Sequence, residues 1–422
     1  MNILLIGSGG REHAISKKIK ESKRLNKLFI LPGNAGTFFE GENLEINSND
    51  FYLIAEFALK NNIDLIVPCS EIQLVNGIVD YFSENIKYKH IKILGPTKLA
   101  SMLESSKDFS KKLMQKYNIP TAKYATFTSE TKNEAYKYLE KSEPPYVLKA
   151  DGLASGKGVI IVDSLNEAKS SLDEMFSGKF GNSGKKVVIE EFLDGIEVSV
   201  FILTDGKSYI LLPEAKDYKK IGEGDLGLNT GGMGAISPVK FADNEFMNKV
   251  KQRIIEPTLN ALKSENILYK GFIFFGLISV EKEPIVIEYN VRPGDPESEV
   301  FFPRIESDLI DLFETTVDEN LDKIIIKINP KTAATVMLVS GGYPNEFETG
   351  KQIFGIENIT ESTVMHAGTK LIDGKFYTNS GRVMSITSIA DTMEDALKKS
   401  YKSAEMIKYE GKYYRNDIGF DL

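Results

Sequence analysis

The sequence predicts a multidomain protein of the α/β and α+β classes, and three observations carry that prediction. Its 422 residues suffice for about three domains at roughly 150 residues each. Short apolar runs alternate with polar, helix-periodic stretches. Thirty-four glycines against 15 prolines indicate loops that approach something closely. Hydrophobic residues at 42% and charged residues at 27% match ordinary globular usage, so disordered and fibrous classes are excluded.

In chain order, apolar runs at Ile3–Ile6, Leu28–Leu31, Leu65–Val67 and Ile91–Leu94 have the rhythm of a parallel α/β unit. Each ends in turn chemistry: Gly7-Ser8-Gly9-Gly10, Pro32-Gly33-Asn34-Ala35-Gly36, Pro68-Cys69-Ser70-Glu71 and Gly95-Pro96. Loops at the carboxyl ends of parallel strands are where such sheets bind ligands. A nicotinamide-binding fingerprint is incomplete here, because Glu12 holds the place of its third glycine and no acid follows the second strand. The first loop therefore either makes a tight turn through glycine geometry or offers backbone N–H groups to a phosphate, with Arg11 adding charge.

Residues 97–118 are predicted as one Lys- and Ser-rich helix stopped by Asn118-Ile119-Pro120, with a domain boundary near residue 102. From 146 to 325 strands and helices alternate again, with glycine-rich interruptions at 152–158, 178–184 and 222–234. From about 326, runs at Ala333–Val339 and Arg382–Ile386 predict a small α/β or α+β cap. The expected division is 1–102, 103–325 with a lid lobe over about 121–192, and 326–422.

Charge and composition narrow the partners. Fifty-two basic against 60 acidic residues give a net charge of −8, so the bulk balance favours neither nucleic acid nor an anionic membrane. One cysteine, Cys69, excludes an intrachain disulfide framework, and His13, His90 and His366 are too few for a Cys/His zinc site. No basic n-region precedes the first apolar run, and the longest one, Gly271–Val280, is about half of the roughly 20 residues of a spanning helix. A soluble, cytoplasmic protein is expected.

Three segments carry the chemistry. Tyr146–Val162 reads as strand, glycine turn, strand: Lys149 points toward the following loop, where Gly156, Lys157 and Gly158 ride, and two ammonium groups beside free N–H donors suit a polyphosphate. Gly158 stands where a P-loop needs Ser or Thr, so this is no Walker A motif. In the second segment, Val187–Val200, Glu190 can read an adenine amino edge and Glu197 can hold ribose hydroxyls; solvated acids flanking a strand are the alternative. In the third, Pro284–Glu297, period two puts Val286, Glu288 and Asn290 on one face and Ile285, Ile287 and Tyr289 on the other. A carboxylate on a buried strand needs a partner, either Mg²⁺ held with phosphates or a salt bridge.

Together these segments resemble the ATP-grasp superfamily. Gly7–His13, Pro32–Thr37, the lysine hairpin, Asn229-Thr230-Gly231-Gly232-Met233-Gly234 and His366–Lys370 more narrowly resemble the phosphoribosylamine glycine ligase family over essentially the whole chain. The resemblance implies an N-terminal α/β (pre-ATP-grasp) domain, a two-lobed ATP-grasp domain and a small C-terminal α+β domain. It implies that Lys107 and Lys149 contact ATP phosphates under the Gly156-Lys157-Gly158 lid, that Glu190 and Leu193 read adenine, and that Glu197 holds ribose. Glu288 and Asn290 would bind Mg²⁺ or Mn²⁺. Arg292, Asp295 and Asp217 would border the reacting groups, with Thr230, Gly231, Gly232 and Gly294 beside the substrates and Gly9, Gly10, Arg11 and Asn34 toward the ribose phosphate.

The implied reaction joins glycine to 5-phosphoribosylamine through glycyl phosphate, in purine biosynthesis, by a monomer acting on small molecules. Positioning and cations would carry it without a protein nucleophile. The alternatives are another ligase or carboxylase of the superfamily acting on a phosphoribosyl substrate, and a non-catalytic ATP-binding regulator. Four positions depart from the family pattern: Cys69-Ser70 before Glu71, Tyr218 in Asp217-Tyr218-Lys219, Leu228 before Asn229, and Pro293 after Arg292.

Overall fold

The computed structural model describes residues 1–153 and 158–422, residue 182 by its backbone alone. The N-terminal sheet is parallel throughout, in the order Glu42–Asn43, Lys27–Pro32, Asn2–Gly7, Leu65–Pro68, Lys92–Ile93. Its central strand has no exposed surface from Ile3 to Ile6. A strand covered on both faces reads as an unbroken apolar run, which is why it stands out in the sequence. The two-residue edge strand Glu42–Asn43 has no such run and gives no signal. Chain order reverses on either side of the central strand, so the Gly7–Gly10 and Pro68–Glu71 loops flank the crevice where such sheets receive ligands.

Where one helix is predicted over 97–118, there are two, Met102–Ser105 and Lys107–Lys116. Ser106 breaks them by leaving helical geometry, and its hydroxyl accepts from the Phe109 N–H at 3.1 Å as an N-cap. The cap sets the direction of the second helix and with it Lys107.

Next comes an antiparallel sheet ordered Tyr124–Thr128, Lys186–Glu190, Tyr146–Ala150, Val159–Val162. The helices Lys132–Leu139 and Leu165–Glu174 bury Leu139, Ala168 and Leu172 in a core of its own. A second antiparallel sheet runs Tyr209–Leu211, Ile196–Thr204, Gly271–Val280, Glu283–Asn290. Gly271–Val280, the most apolar run of the chain, is thus a ten-residue inner strand.

A β-bulge opposite Gly276 and Leu277 shifts the register, so that Gly276 pairs with Glu288 and Leu277 with Val286. Simple alternation fails there: Val286 and Tyr289 both belong to the core, and Ile287, Glu288 and Asn290 line the cavity, which Tyr289 also touches. The predicted grouping of Val286 with Glu288 is therefore corrected. The extra residue re-aims the two polar side chains, as bulges beside functional sites do.

The C-terminal part is not a self-contained cap. Its main sheet, ordered Lys216–Asp217, Gly234–Ser237, Thr332–Val339, Arg382–Ala390, Thr363–His366, takes two strands from the middle of the chain and is covered by the helix Met393–Met406. Pairing across 100 residues draws the C-terminal strands to the edge of the central lobe. Ile3 and Leu5 likewise share one core with Phe201, Phe301 and Ala333. Among the described residues no helix is long and apolar enough to cross a membrane.

Candidate active site

A cavity of about 360 Å³ opens where the two antiparallel sheets face each other. Its walls come from the helix Lys107–Lys116, the lysine hairpin, the carboxylate strand Glu283–Asn290 and the segments 217–219 and 230–231, with Arg11 and Arg382 reaching in from either end of the chain.

One wall is cationic. Lys107 donates to the Gly152 carbonyl at 3.2 Å, and burial pushes its pKa down. Lys149, on the inner strand of its sheet, lies 2.9 Å from the Glu190 carboxylate, and Lys111 lies 2.9 Å from the same oxygen. Burial alone would raise the pKa of Glu190, but Lys149 and Lys111 outweigh it and hold the group below the usual carboxylate range. Lys111 and Lys149 thus share one fixed negative charge while Lys107 meets only a carbonyl, leaving an excess of positive charge on this wall for an anionic ligand.

The opposite wall carries Glu288 and Asn290. Burial opposes ionisation of Glu288, yet Lys219, Lys149 and Lys107 hold its pKa low, so the carboxylate is charged at neutral pH. The Asn290 amide donates to Glu288 at 3.4 Å, and its oxygen accepts from Arg292 at 3.2 Å. Arg292 is pinned between Glu71 at 3.2 Å and Glu104 at 3.1 Å. No cluster of three or more His, Cys, Asp or Glu side chains among the described residues can hold a metal ion. A cation on Glu288 and Asn290 therefore has to complete its shell with phosphate oxygens and water. That donor set fits Mg²⁺ in a nucleotide site.

The third side holds Asp217, Lys219, Thr230, Gly231, Asp295 and Glu297. Period two from Lys216 places Asp217 and Lys219 in the cavity and turns Tyr218 away, where its hydroxyl donates to Asp421 at 3.0 Å from inside a hydrophobic cluster. Lys219 pairs with Glu197. Burial raises the pKa of Asp217, with Lys219 opposing, and pushes Glu297 up to about 7 while Ser199 donates to it at 2.8 Å. Arg382 donates to the Asp295 carbonyl at 2.8 Å, meets its carboxylate at 2.9 Å and also binds the Gly231 carbonyl. Gly232, at φ +114°, is needed there, since a Cβ would sit 2.3 Å from Pro296.

The structure brings Arg11, Lys107, Gly158, Glu190, Asp217, Thr230, Gly231, Glu288, Asn290, Arg292 and Asp295 around one cavity, while Lys149 is buried just off the lining and held on Glu190. Gly156 and Lys157 lie outside the described residues. Leu193 sits in the linker between Lys186–Glu190 and Ile196–Thr204, and Glu197, Gly232 and Gly294 are not among the lining residues, although Glu197 is joined to the cavity through Lys219. Gly9, Gly10 and Asn34 do not line the cavity among the described residues. Glu12 folds back on the loop and accepts the Gly9 N–H at 2.5 Å and the Arg11 guanidinium at 2.7 Å. The Asn34 amide donates to the carbonyls of Ser8 and His366, each at 2.8 Å, and its oxygen accepts from Gly36 and Thr37.

The family departures lie beside these groups rather than among them. Cys69 is buried behind Glu71, Leu228 is exposed on the strand Leu226–Asn229, and the Pro293 carbonyl accepts from Arg11 and Arg292.

Lys111, Lys219, Glu104, Glu297 and Arg382 are the site residues that the sequence did not single out. Lys111 is four residues after Lys107 on a helix and Lys219 two after Asp217 on a strand, so both were within reach of periodicity. Arg382 carries no local signal, because its partners are 87 and 151 residues away.

Comparison with known proteins bears on the family and the fold. Residues 1–104, 105–298 and 333–421 match, in turn, the N domain, the ATP-grasp (A) domain and the C domain of phosphoribosylglycinamide synthetase. The chain is 43% identical to the phosphoribosylamine–glycine ligase of Fusobacterium nucleatum, across 99% of this chain and 98% of that one. It is 44% identical to the Clostridium acetobutylicum ligase, across 99% of both. The crystal structure of the Thermotoga maritima ligase superposes with a TM-score of 0.85 at 33% identity, covering 99% of this chain and 100% of that one. With all three domains matched in order along nearly its entire length, the chain belongs to the phosphoribosylglycinamide synthetase family.

Proposed function

We infer that this chain joins glycine to 5-phosphoribosylamine at the expense of ATP, through glycyl phosphate, giving glycinamide ribonucleotide, ADP and phosphate in purine biosynthesis. The observation that carries the inference is the opposition of Lys107 and Lys111, with Lys149 behind them on Glu190, to the Glu288, Asn290, Arg292 wall across one cavity, in a chain of this family.

In the proposed mechanism, Lys107 and Lys149 bind the ATP phosphates, Glu190 and Leu193 face the adenine and Glu197 the ribose, under a lid containing Gly156, Lys157 and Gly158. Glu288 and Asn290 hold Mg²⁺ or Mn²⁺, which when bound neutralises charge on the phosphates. Arg292, Asp295 and Asp217 orient glycine so that its carboxylate attacks the γ-phosphorus; the phosphoribosylamine nitrogen then displaces phosphate from the acyl carbon. Thr230, Gly231, Gly232 and Gly294 shape the acyl end. Arg11 meets the ribose phosphate from the loop Gly9-Gly10, which Asn34 ties down. Burial excludes the water that would hydrolyse an acyl phosphate.

We place the domain borders at 1–102, 103–325 and 326–422, and the enzyme in the cytoplasm as a monomer acting on small molecules without nucleic acid. The net charge of −8 and the single buried cysteine support that setting. The test is ADP and phosphate release by the purified protein with ATP and Mg²⁺, adding glycine and freshly generated phosphoribosylamine separately and together. Release with both substrates only, together with the mass of glycinamide ribonucleotide, is expected; turnover lacking a glycine requirement would overturn the assignment.

A further inference from the structure

Lys111 has no task in the mechanism above, although it is 2% exposed and lines the cavity. Its ammonium group is held from two sides: it meets Glu190 Oε2 at 2.9 Å and donates to Thr121 Oγ1 at 2.7 Å. Thr121 in turn donates to the Val286 carbonyl at 2.8 Å, at the start of the bulge that aims Glu288. Lys111 thereby ties its own helix to both sheets. Lys149 meets the same Glu190 oxygen, also at 2.9 Å, while Glu190 Oε1 is buried without a hydrogen-bond partner.

Two ammonium groups on one carboxylate oxygen are redundant until one of them is called elsewhere. We propose that Lys111 is a positioning residue of the nucleotide site, holding the Glu190 carboxylate so that Lys149 is free to turn to the phosphates. Without Lys111, Lys149 is the sole counter-charge of a buried carboxylate, and drawing it away leaves that charge unpaired, which is strongly unfavourable. With Lys111 in place the carboxylate stays paired whichever way Lys149 points. Thr121 keeps Lys111 from following Lys149, because it anchors the ammonium group to the far sheet. Burial, with Glu190 opposing, lowers the Lys111 pKa to about 8, in keeping with a group fixed inside the protein.

The inference rests on the reading that Lys149 contacts ATP phosphates, and the test separates the two. Binding of ATP with Mg²⁺ is measured by calorimetry on the full chain for wild type, Lys111→Met, Glu190→Gln, the double variant and Lys149→Ala. Lys111→Met is expected to weaken binding about tenfold, the scale of coupling between contacting charges, with kcat at saturating ATP within about threefold of wild type. In the Glu190→Gln background, where no buried charge holds Lys149 back, the same substitution is expected to change binding by less than about twofold.

Equal weakening in both backgrounds would show that Lys111 touches the nucleotide directly and overturn the proposal, as would unchanged binding in Lys111→Met. A Lys111→Met chain that folds in neither background would assign Lys111 to the core, with the same consequence. Unchanged binding in Lys149→Ala would remove the phosphate role of Lys149 itself.

Discussion

At the Gly7–Gly10 loop and at the lysine hairpin a glycine turn stands beside cations, yet the two places are closed in different ways. In the first, the chain supplies its own anion: Glu12 takes the Gly9 N–H and the Arg11 guanidinium, and it is 1% exposed. In the second, Lys111 and Lys149 share the single carboxylate Glu190 while Lys107 has a backbone carbonyl for its partner, and positive charge is left over. A glycine turn beside basic residues thus says only that an anion fits there. How much of that anion the protein itself provides depends on the nearest acid, and Arg11 keeps a face toward the cavity beside its bond to Glu12. At the N-terminal loop that acid is three residues away on the same helix; at the hairpin it comes from a neighbouring strand and serves two lysines.

Substitutions at the two places break this contrast with effects of very different size. Glu288→Ala is expected to lower turnover about a thousandfold with folding intact, because it removes the charged member of the metal pair while leaving the bulge and the apolar face of the strand. ADP release and a thermal melt check this; retained activity with normal metal dependence would remove Glu288 from the mechanism. Lys149→Ala is expected to weaken ATP binding roughly 10- to 100-fold without loss of folding, as measured by calorimetry.

Glu12→Ala is expected to act on stability instead. Losing the acceptor for Gly9 and Arg11 in a buried loop costs about 1–3 kcal/mol, read from urea unfolding, with ATP affinity unchanged. A shift in ATP affinity of the size seen for Lys149→Ala would erase the distinction between the two loops.

The smallest effect concerns Glu40, beside the same N-terminal helix. Burial would raise its pKa, but His13, Lys17 and Lys20 outweigh it and hold it at about 2. A depressed carboxylate stabilises the fold above its unfolded pKa of about 4.5, and that contribution disappears as the pH falls toward 2. The Glu40 side chain is 11% exposed but its partners Lys17 and Lys20 are 37% and 50% exposed, so its worth after screening is about 1 kcal/mol. Urea midpoints of wild type and Glu40→Gln are expected to differ at pH 7 and to converge below about pH 3. A difference that persists there would mean that Glu40 acts through packing.

The parallel N-terminal sheet was readable because a strand buried on both faces is an apolar run, and Ile3–Ile6 and Leu65–Val67 are such runs. The lysine hairpin and the polar residues of the strand Glu283–Asn290 were readable for the converse reason: a lysine or a carboxylate within a buried strand demands a partner. Ser106 hid its cap inside an otherwise helix-like stretch, and the bulge near Ile287 left no mark, since one extra residue in a strand changes no composition.

The sequence by itself determined the fold class and the order of the domains, and it offered Lys149, Glu190, Glu288 and Asn290 as candidates for the site, with Lys107 and Arg292 added by the family resemblance. These depend on local periodicity and on runs of residues that any conformation of the chain retains. Only the tertiary structure decided that Glu12 closes the first loop, that Lys111 and Lys149 share one oxygen of Glu190, that Tyr218 faces away from the site, and that Arg382 reaches Asp295 from the C-terminal sheet. Each of those pairings depends on how side chains are aimed once separate elements pack, and a change of one residue in a strand's register is enough to reverse the aim.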